Sequence, residues 1–329
     1  MSSTTPAASI ASSYSLTTST SLPFPTTTLA SADAGAFMVS GWSLSKGRIQ
    51  DGLDDLSFVT DPFPQGGVPG PASGSNSSNS PVLQVTYPAN SFSDNTGGAQ
   101  FYSLWNTSGD PFQSMMLTYE VAFDAGFDWV KGGKLPGLRG GPSTTGCSGG
   151  NESNGTDCFS TRLMWRTDGQ GEVYAYIRTP NNICKSPGIL CNDDFGTSID
   201  RGSFSFASGQ WNRVTLLVQL NSPPNVANGN VVLYFNDVQA ISQGNLQLRS
   251  GSGVHANGIF FSTFFGGSDI SWETPVETHS YFRNFEVWGS SSPSNLTGAK
   301  VNDACGFAHD RNWWGWIAAA FSIFFIALS

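Results

Sequence analysis

Met115-Met116-Leu117-Thr118-Tyr119-Glu120-Val121-Ala122-Phe123 sets Met115, Leu117, Tyr119, Val121 and Phe123 on one face of an extended chain. Side chains of a strand point alternately to opposite faces, so a period of two marks a strand with one buried side. The same alternation returns at Val214, Leu216, Val218 and Leu220, set against Arg213, Thr215, Leu217 and Gln219. Further strands are expected at Val82–Tyr87, Ser160–Arg166, Glu172–Arg178, Val231–Phe235, Ile259–Phe265 and Tyr281–Trp288, separated by Gly, Asn and Pro turns. Many strands at short spacing, with no helical period among them, predict an all-β jelly-roll sandwich of two antiparallel sheets.

Composition narrows the class. Of 329 residues only 12% are charged, whereas 13% are aromatic and 38 are glycine. Aromatics at that density imply a packed core and exclude a chain disordered throughout. A net charge of −9 argues against a nucleic-acid partner, which calls for a basic face. Residues 1–36 are rich in Ser, Thr, Ala and Pro and are expected to be disordered. Apolar residues at core density run from 37 to 289 as one domain, with Gly66–Ser80 as an internal loop. A polar linker (290–312) and an apolar tail (313–329) follow.

Four of the five cysteines form two close pairs, Cys147 with Cys158 and Cys184 with Cys191, each bracketing a polar loop. Zinc sites of similar spacing carry histidines nearby, and His255, His279 and His309 are all remote from these pairs. Two local disulfides are the preferred reading over buried free thiols. Sequons at Asn76, Asn106, Asn151, Asn154 and Asn295 agree with an exported protein, although a chain this rich in Asn, Ser and Thr generates them by chance. Small residues, a polar spacer and a terminal apolar run from Trp313 to Ser329 follow the order of a GPI-attachment signal, with a membrane tail anchor as the alternative. Cys305 would leave with that tail. The first residues, Met1-Ser2-Ser3-Thr4-Thr5-Pro6, lack the charged-then-apolar pattern of a secretory signal, yet cysteines and tail point to the exterior or the cell surface.

The chemistry concentrates between residues 131 and 178. Gly171-Glu172-Val173-Tyr174-Ala175-Tyr176-Ile177-Arg178 sends Val173, Ala175 and Ile177 inward and leaves Glu172, Tyr174, Tyr176 and Arg178 on the other face. Likewise Ser160, Arg162, Met164 and Arg166 share a face. Upstream, Trp129–Gly141 reads as a glycine-punctuated loop holding Lys131, Lys134 and Arg139. Lys131, Lys134, Arg139, Arg162, Arg166 and Arg178 are six of the 15 basic residues of an acidic chain. Taken singly each is an ordinary surface charge. Together with the aligned phenols they favour a binding face for an anionic, hydroxyl-rich ligand.

Lys131-Gly132-Gly133-Lys134-Leu135-Pro136-Gly137-Leu138 resembles the signature loop of the alginate-lyase-like polysaccharide lyases of family 14, as do Ser160-x-Arg162 and Tyr174-x-Tyr176. Fungal members are also similar at Gly41–Gly47 and Thr263–Ser268, and the likeness spans about residues 37–289. The resemblance implies a β-jelly roll and catalytic roles for Lys134, Ser160, Arg162, Tyr174 and Tyr176. It implies β-elimination on a uronate polymer, alginate- or glucuronan-like: the proton α to the carboxylate leaves and the C4–O bond breaks. Arg162, assisted by Lys134, would neutralise the carboxylate, and a tyrosine would transfer the proton. Lys131, Arg139, Arg166 and Arg178 are expected to bind the polyanion. No metal or other cofactor is required by this set, and a monomer is expected.

A retaining glycosidase needs two carboxylates about 5–5.5 Å apart. Glu120 is followed by Asp124, but Glu172 has no such partner and Glu286 is followed by Ser290. A non-catalytic lectin also uses aromatics and arginines, so it stands as the alternative to the lyase.

Overall fold

The computed structural model describes residues 5–64, 68, 80–94, 96–105, 107–144, 146–180, 182–192 and 194–301. Its helices are α1 (Ala7–Ser13) and α2 (Ser31–Gly41). The first strands are β1 (Thr18–Ser21), β2 (Leu56–Val59), β3 (Val82–Tyr87), β4 (Ala99–Leu104), β5 (Ser114–Phe123) and β6 (Gly132–Gly140). Next come β7 (Phe159–Arg166), β8 (Gln170–Tyr176), β9 (Ile189–Leu190), β10 (Thr197–Ser205), β11 (Trp211–Gln219) and β12 (Val226–Ala227). The last are β13 (Gly229–Phe235), β14 (Val238–Leu246), β15 (Ala256–Phe265), β16 (Thr278–Ser290) and β17 (Ala299–Lys300).

They form the expected antiparallel sandwich. One sheet runs β14-β13-β11-β5-β16-β3-β2, with β1 also pairing β16, and the facing sheet runs β4-β15-β6-β7-β8-β10-β9. The alternation read from the sequence decides which side meets the core. Met115, Leu117, Tyr119, Val121 and Phe123 of β5 and Val214, Leu216 and Val218 of β11 pack in one cluster with Leu163, Trp165, Val173, Ala175 and Ile177 from the other sheet. Tyr87 joins the layers: its buried hydroxyl hydrogen-bonds Thr263 of β15 and, at 2.6 Å, Ser280 of β16.

Three expectations need correction. Residues 132–140 are not a loop but β6, a central strand between β15 and β7. Its glycines serve close approach: a Cβ on Gly137 would stand 2.0 Å from the Thr161 carbonyl oxygen. Pro136, which has no N–H to donate, falls where the β6–β7 register shifts between Leu135 and Leu138.

Second, the described part of residues 1–36 is ordered. The outer face of the larger sheet carries an apolar patch of Met116, Leu217, Val232 and Trp288, and Ile10, Ala11 and Leu16 cover it. Burying that patch offsets the entropy of ordering a Ser/Thr-rich segment. Farther along, Ala34 and Met38 of α2 and the following Trp42 join the main core. Third, the linker expected from residue 290 stays on the domain as far as residue 301, because β17 pairs β12. The tail at 313–329, Cys305 and most of the Gly66–Ser80 loop lie outside the described residues. Among the described residues no helix is long and apolar enough to cross a membrane.

If α1 is docked, Ile10→Ala costs about 2–4 kcal/mol in urea unfolding, as for other buried Ile or Leu truncations. A loss below about 0.5 kcal/mol, the size of a surface change, would show that the segment is not part of the fold.

Candidate active site

β6, β7 and β8 lie side by side, and the residues of β7 and β8 that do not face the core point out of the smaller sheet. There they line a cleft of about 650 Å³ with Lys134, Arg162, Met164, Arg166, Tyr174 and Tyr176 among its walls. Register makes the grouping unavoidable: Arg162 pairs with Tyr174 and Ser160 with Tyr176 across β7–β8, and Met164 pairs with Lys134 across β6–β7.

Arg162 is the most constrained member. It is only 2% exposed. One guanidinium nitrogen donates to Ser262 Oγ at 2.9 Å, and the group lies 4.3 Å from the Phe260 ring and 5.9 Å from that of Tyr176. Its Nε–H has no acceptor and it forms no ion pair among the described residues. Burial works against its charge, and the phenols of Tyr176, Tyr102 and Tyr174 partly oppose that effect. A guanidinium stays charged even so. Among the described residues the guanidinium has no ion-pair partner, and Asp94, which also lines the cleft, favours its charge without pairing with it.

Lys134 is partly exposed, its Nζ 3.3 Å from Met164 Sδ and 4.4 Å from the centre of the Tyr174 ring. Burial first, then the charges of Arg162 and Arg166, bring its amine well below the usual lysine range. Tyr174 moves the opposite way: burial and then the neighbouring Tyr176 raise its phenol above the ordinary value. Both phenol oxygens accept backbone hydrogen bonds, Tyr174 from Gly196 at 2.9 Å and Tyr176 from Gly150 at 3.0 Å. The two hydroxyls also meet in a side-chain hydrogen bond, which helps to raise the Tyr174 phenol.

Both disulfides expected from the sequence are present: Gly150 lies inside the loop closed by Cys147–Cys158, and Gly196 follows Cys184–Cys191 by five residues. Cys147 and Cys158 pack directly with Met164, Tyr174 and Tyr176. Ser160 does not line the cleft. Its buried hydroxyl donates to the Cys147 carbonyl at 2.6 Å and so anchors the first loop.

Of the basic residues expected to bind a polyanion, only Arg166 lines the cleft, and it shares Glu172 with Arg201. Fully buried Glu172 accepts from Arg166 Nε at 2.9 Å, Arg201 Nε at 2.6 Å and Ser198 Oγ at 2.6 Å. Arg139 is turned inward, donating to Asn257 at 2.5 Å, to Gly141 at 3.0 Å and to the Ser143 carbonyl. Lys131 is exposed beside Trp272 at the rim, and half-buried Arg178 lies past the end of β8, bridged to Gln247. The alternative carboxylate pair is on the other sheet: Glu120 is held by Arg213 and Arg283, and Asp124 by His279 and Tyr281. Neither lines the cleft.

Several contributors escaped the sequence reading. Ser262 and Gln100 support Arg162 in series, Ser262 Oγ donating to Gln100 Oε1 at 3.4 Å. A serine within the apolar run Ile259-Phe260-Phe261-Ser262-Thr263-Phe264-Phe265 was the available signal. Phe260, Ser262 and Phe264 share one parity, against Phe261 and Phe265 in the core. The amides of Gly150 and Gly196 leave no side-chain signal at all.

Residues 75–285 match the family model for polysaccharide lyase 14. The crystal structure of a marine family 14 alginate lyase from Aplysia kurodai is 30% identical, covers 82% of this chain and 100% of that one, and superposes with a TM-score of 0.66. An alginate lyase from a Chlorella virus is 21% identical over 80% of this chain and 99% of its own, with a TM-score of 0.57, and bears on the fold alone. A curated relative is an exolysin of Paramecium bursaria Chlorella virus 1, 27% identical over an alignment of 215 positions that covers 59% of this chain and 31% of that protein. The chain thus spans under a third of that relative's length.

The lowered Lys134 amine carries a stability signature. Between its folded value and the ordinary lysine value the unfolded chain binds the extra proton, so stability rises with pH across that window. Lys134→Met removes the rise and increases Tm at neutral pH by about 1–4 °C. An unchanged or lower Tm would show that the ammonium is comfortably accommodated.

Proposed function

The chain belongs to polysaccharide lyase family 14, and from that membership we propose that it depolymerises a uronic-acid polymer of the alginate type by β-elimination. The observation that carries this reading is Arg162, a buried guanidinium on the cleft wall with an unpaired Nε–H. A uronate carboxylate supplies the missing counter-charge. Neutralising that carboxylate is also the electrostatic requirement of the reaction, because removing the α proton converts it to an enediolate whose charge must be stabilised.

Proton transfer follows from the opposed shifts of Lys134 and Tyr174. A general base works best with a pKa near the operating pH, and an amine brought down by burial and by Arg162 approaches that condition. Lys134 therefore accepts the C5 proton, a change from the charge-assisting role the sequence suggested. Tyr174, with its phenol raised, keeps its proton and donates it to the departing C4 oxygen. Tyr176, stacked toward Arg162, orients the carboxylate partner. The C5–H pair of electrons forms the C4–C5 double bond as the C4–O bond breaks, and one chain end becomes unsaturated. Fixed positive charge supplies the electrostatic stabilisation, so activity is expected to survive a chelator.

The relatives named as alginate lyases support alginate as the first polymer to test, and glucuronan, which carries the same carboxylate, as the second. The two disulfides support an oxidising, extracytoplasmic setting.

Ultraviolet absorbance of the unsaturated ends measures the reaction. Arg162→Ala is expected to lower kcat by about 10²-fold or more, and Tyr174→Phe by about 10²–10⁴-fold with the fold intact. With Lys134 as base, kcat/KM falls as pH drops through its lowered value, since the protonated amine cannot accept. A profile that instead loses activity as pH rises through that value would return Lys134 to the role of cation. Wild-type protein that binds these polymers without yielding absorbing product would leave a lectin.

A further inference from the structure

We propose that Trp272, flanked by Lys131, forms a second uronate subsite at the rim of the cleft, away from the reacting centre; this rests on the polyuronate reading above. Trp272 shares the cleft lining with Lys134 and Arg162, yet nothing in the elimination chemistry uses it.

The indole is held as a platform. It lies against Gly267, whose φ is 77° and on which a Cβ would stand 2.1 Å from the indole Cγ. Any side chain there would lift the ring, so the Gly266-Gly267 pair of the Thr263–Ser268 stretch has a local task. Beneath it, Gly266 N–H donates to the Gly132 carbonyl at 2.8 Å, tying the turn to the start of β6. Asp269 caps the short turn Ile270–Trp272, accepting from the Ser271 amide at 2.9 Å and from the Ser271 hydroxyl. Lys131 Nζ donates to Ser271 Oγ at 2.6 Å and stands 5.9 Å from the Trp272 ring centre.

An aromatic face beside an exposed ammonium matches a hexuronate ring, which presents an apolar C–H face and a carboxylate edge. Lys131 lies in the turn before β6, three residues ahead of Lys134, a separation of at most roughly 10 Å along the chain. The platform therefore meets a sugar unit other than the one being cleaved. Its contribution goes into holding long chains, and it leaves the bond-breaking step alone.

The full chain is compared with Trp272→Ala, Trp272→Phe and Lys131→Met on alginate polymer and on the shortest alginate oligomer that the wild type cleaves. Trp272→Ala is expected to raise KM for polymer about tenfold with kcat within about twofold, the effect of a lost stacking contact. It leaves kcat/KM for the short oligomer unchanged, and Trp272→Phe retains most of the polymer affinity. Lys131→Met raises KM less and flattens its dependence on salt. Equal losses on polymer and oligomer, or no loss on polymer, would overturn the subsite. Retardation in an alginate-containing native gel reads the same site without turnover. If the wild type yields no unsaturated product, the lyase reading fails, and loss of retardation in Trp272→Ala still supports the subsite. Unchanged retardation in that variant, or a wild type that alginate does not retard, overturns it.

Discussion

A guanidinium held at 2% exposure with Ser262 as its single hydrogen-bond acceptor among the described residues is an expensive thing to build into a sheet, and the cleft is organised around keeping it there. Removing a cation from water costs several kcal/mol unless a partner compensates. Here Phe260 and Tyr176 offer ring faces but no negative charge. The rest of the sandwich has to carry that cost, and the aromatic core between the sheets supplies the burial that does so. The nearest strong carboxylate on β8, Glu172, is fully engaged with Arg166, Arg201 and Ser198 and cannot swing over to quench Arg162. Asp94, also on the cleft wall, favours the charge of Arg162 without forming an ion pair with it among the described residues.

The same field explains the neighbours. Arg162 and Arg166 help destabilise the Lys134 ammonium, so the cations of the cleft favour the neutral form of the amine beside them. The phenols are then fixed from outside the sheet by backbone amides of Gly150 and Gly196. Gly150 sits on the loop closed by Cys147–Cys158, which limits how far its amide can drift, and Gly196 follows the Cys184–Cys191 disulfide by five residues. Ser160 contributes through the same route, by holding the Cys147 carbonyl. Its hydroxyl thereby anchors the loop that carries the Gly150 amide.

Where side chains alternate strictly, the fold is legible in the sequence. The inward set of β5 and β11 and the outward set of β7 and β8 follow from a period of two, and the disulfides follow from spacing and polar surroundings. β6 is hidden because its glycines and Pro136 carry the signature of a turn, and only the contact with Thr161 reveals why small residues are needed in a central strand. The N-terminal segment is hidden because its composition is that of a linker. Its order comes from Met116, Leu217, Val232 and Trp288 on the far side of the sheet, a long-range complement that local composition does not express. Arg139 illustrates the limit for charges: clustering suggests the cleft, yet its donors end on Asn257 and backbone carbonyls.

Elimination and hydrolysis leave different atoms behind, and that difference is the most direct check on what this cleft does. Alginate incubated with the full chain in water enriched in heavy oxygen, with the products weighed by mass spectrometry, distinguishes them. Neutralisation at Arg162 with proton transfer by Lys134 and Tyr174 requires one unsaturated end per cut, one water lighter than its hydrolysis counterpart, and product pairs that together weigh no more than the chain they came from. Product pairs that gain the mass of one water at each cut, or polymer left intact, would contradict it.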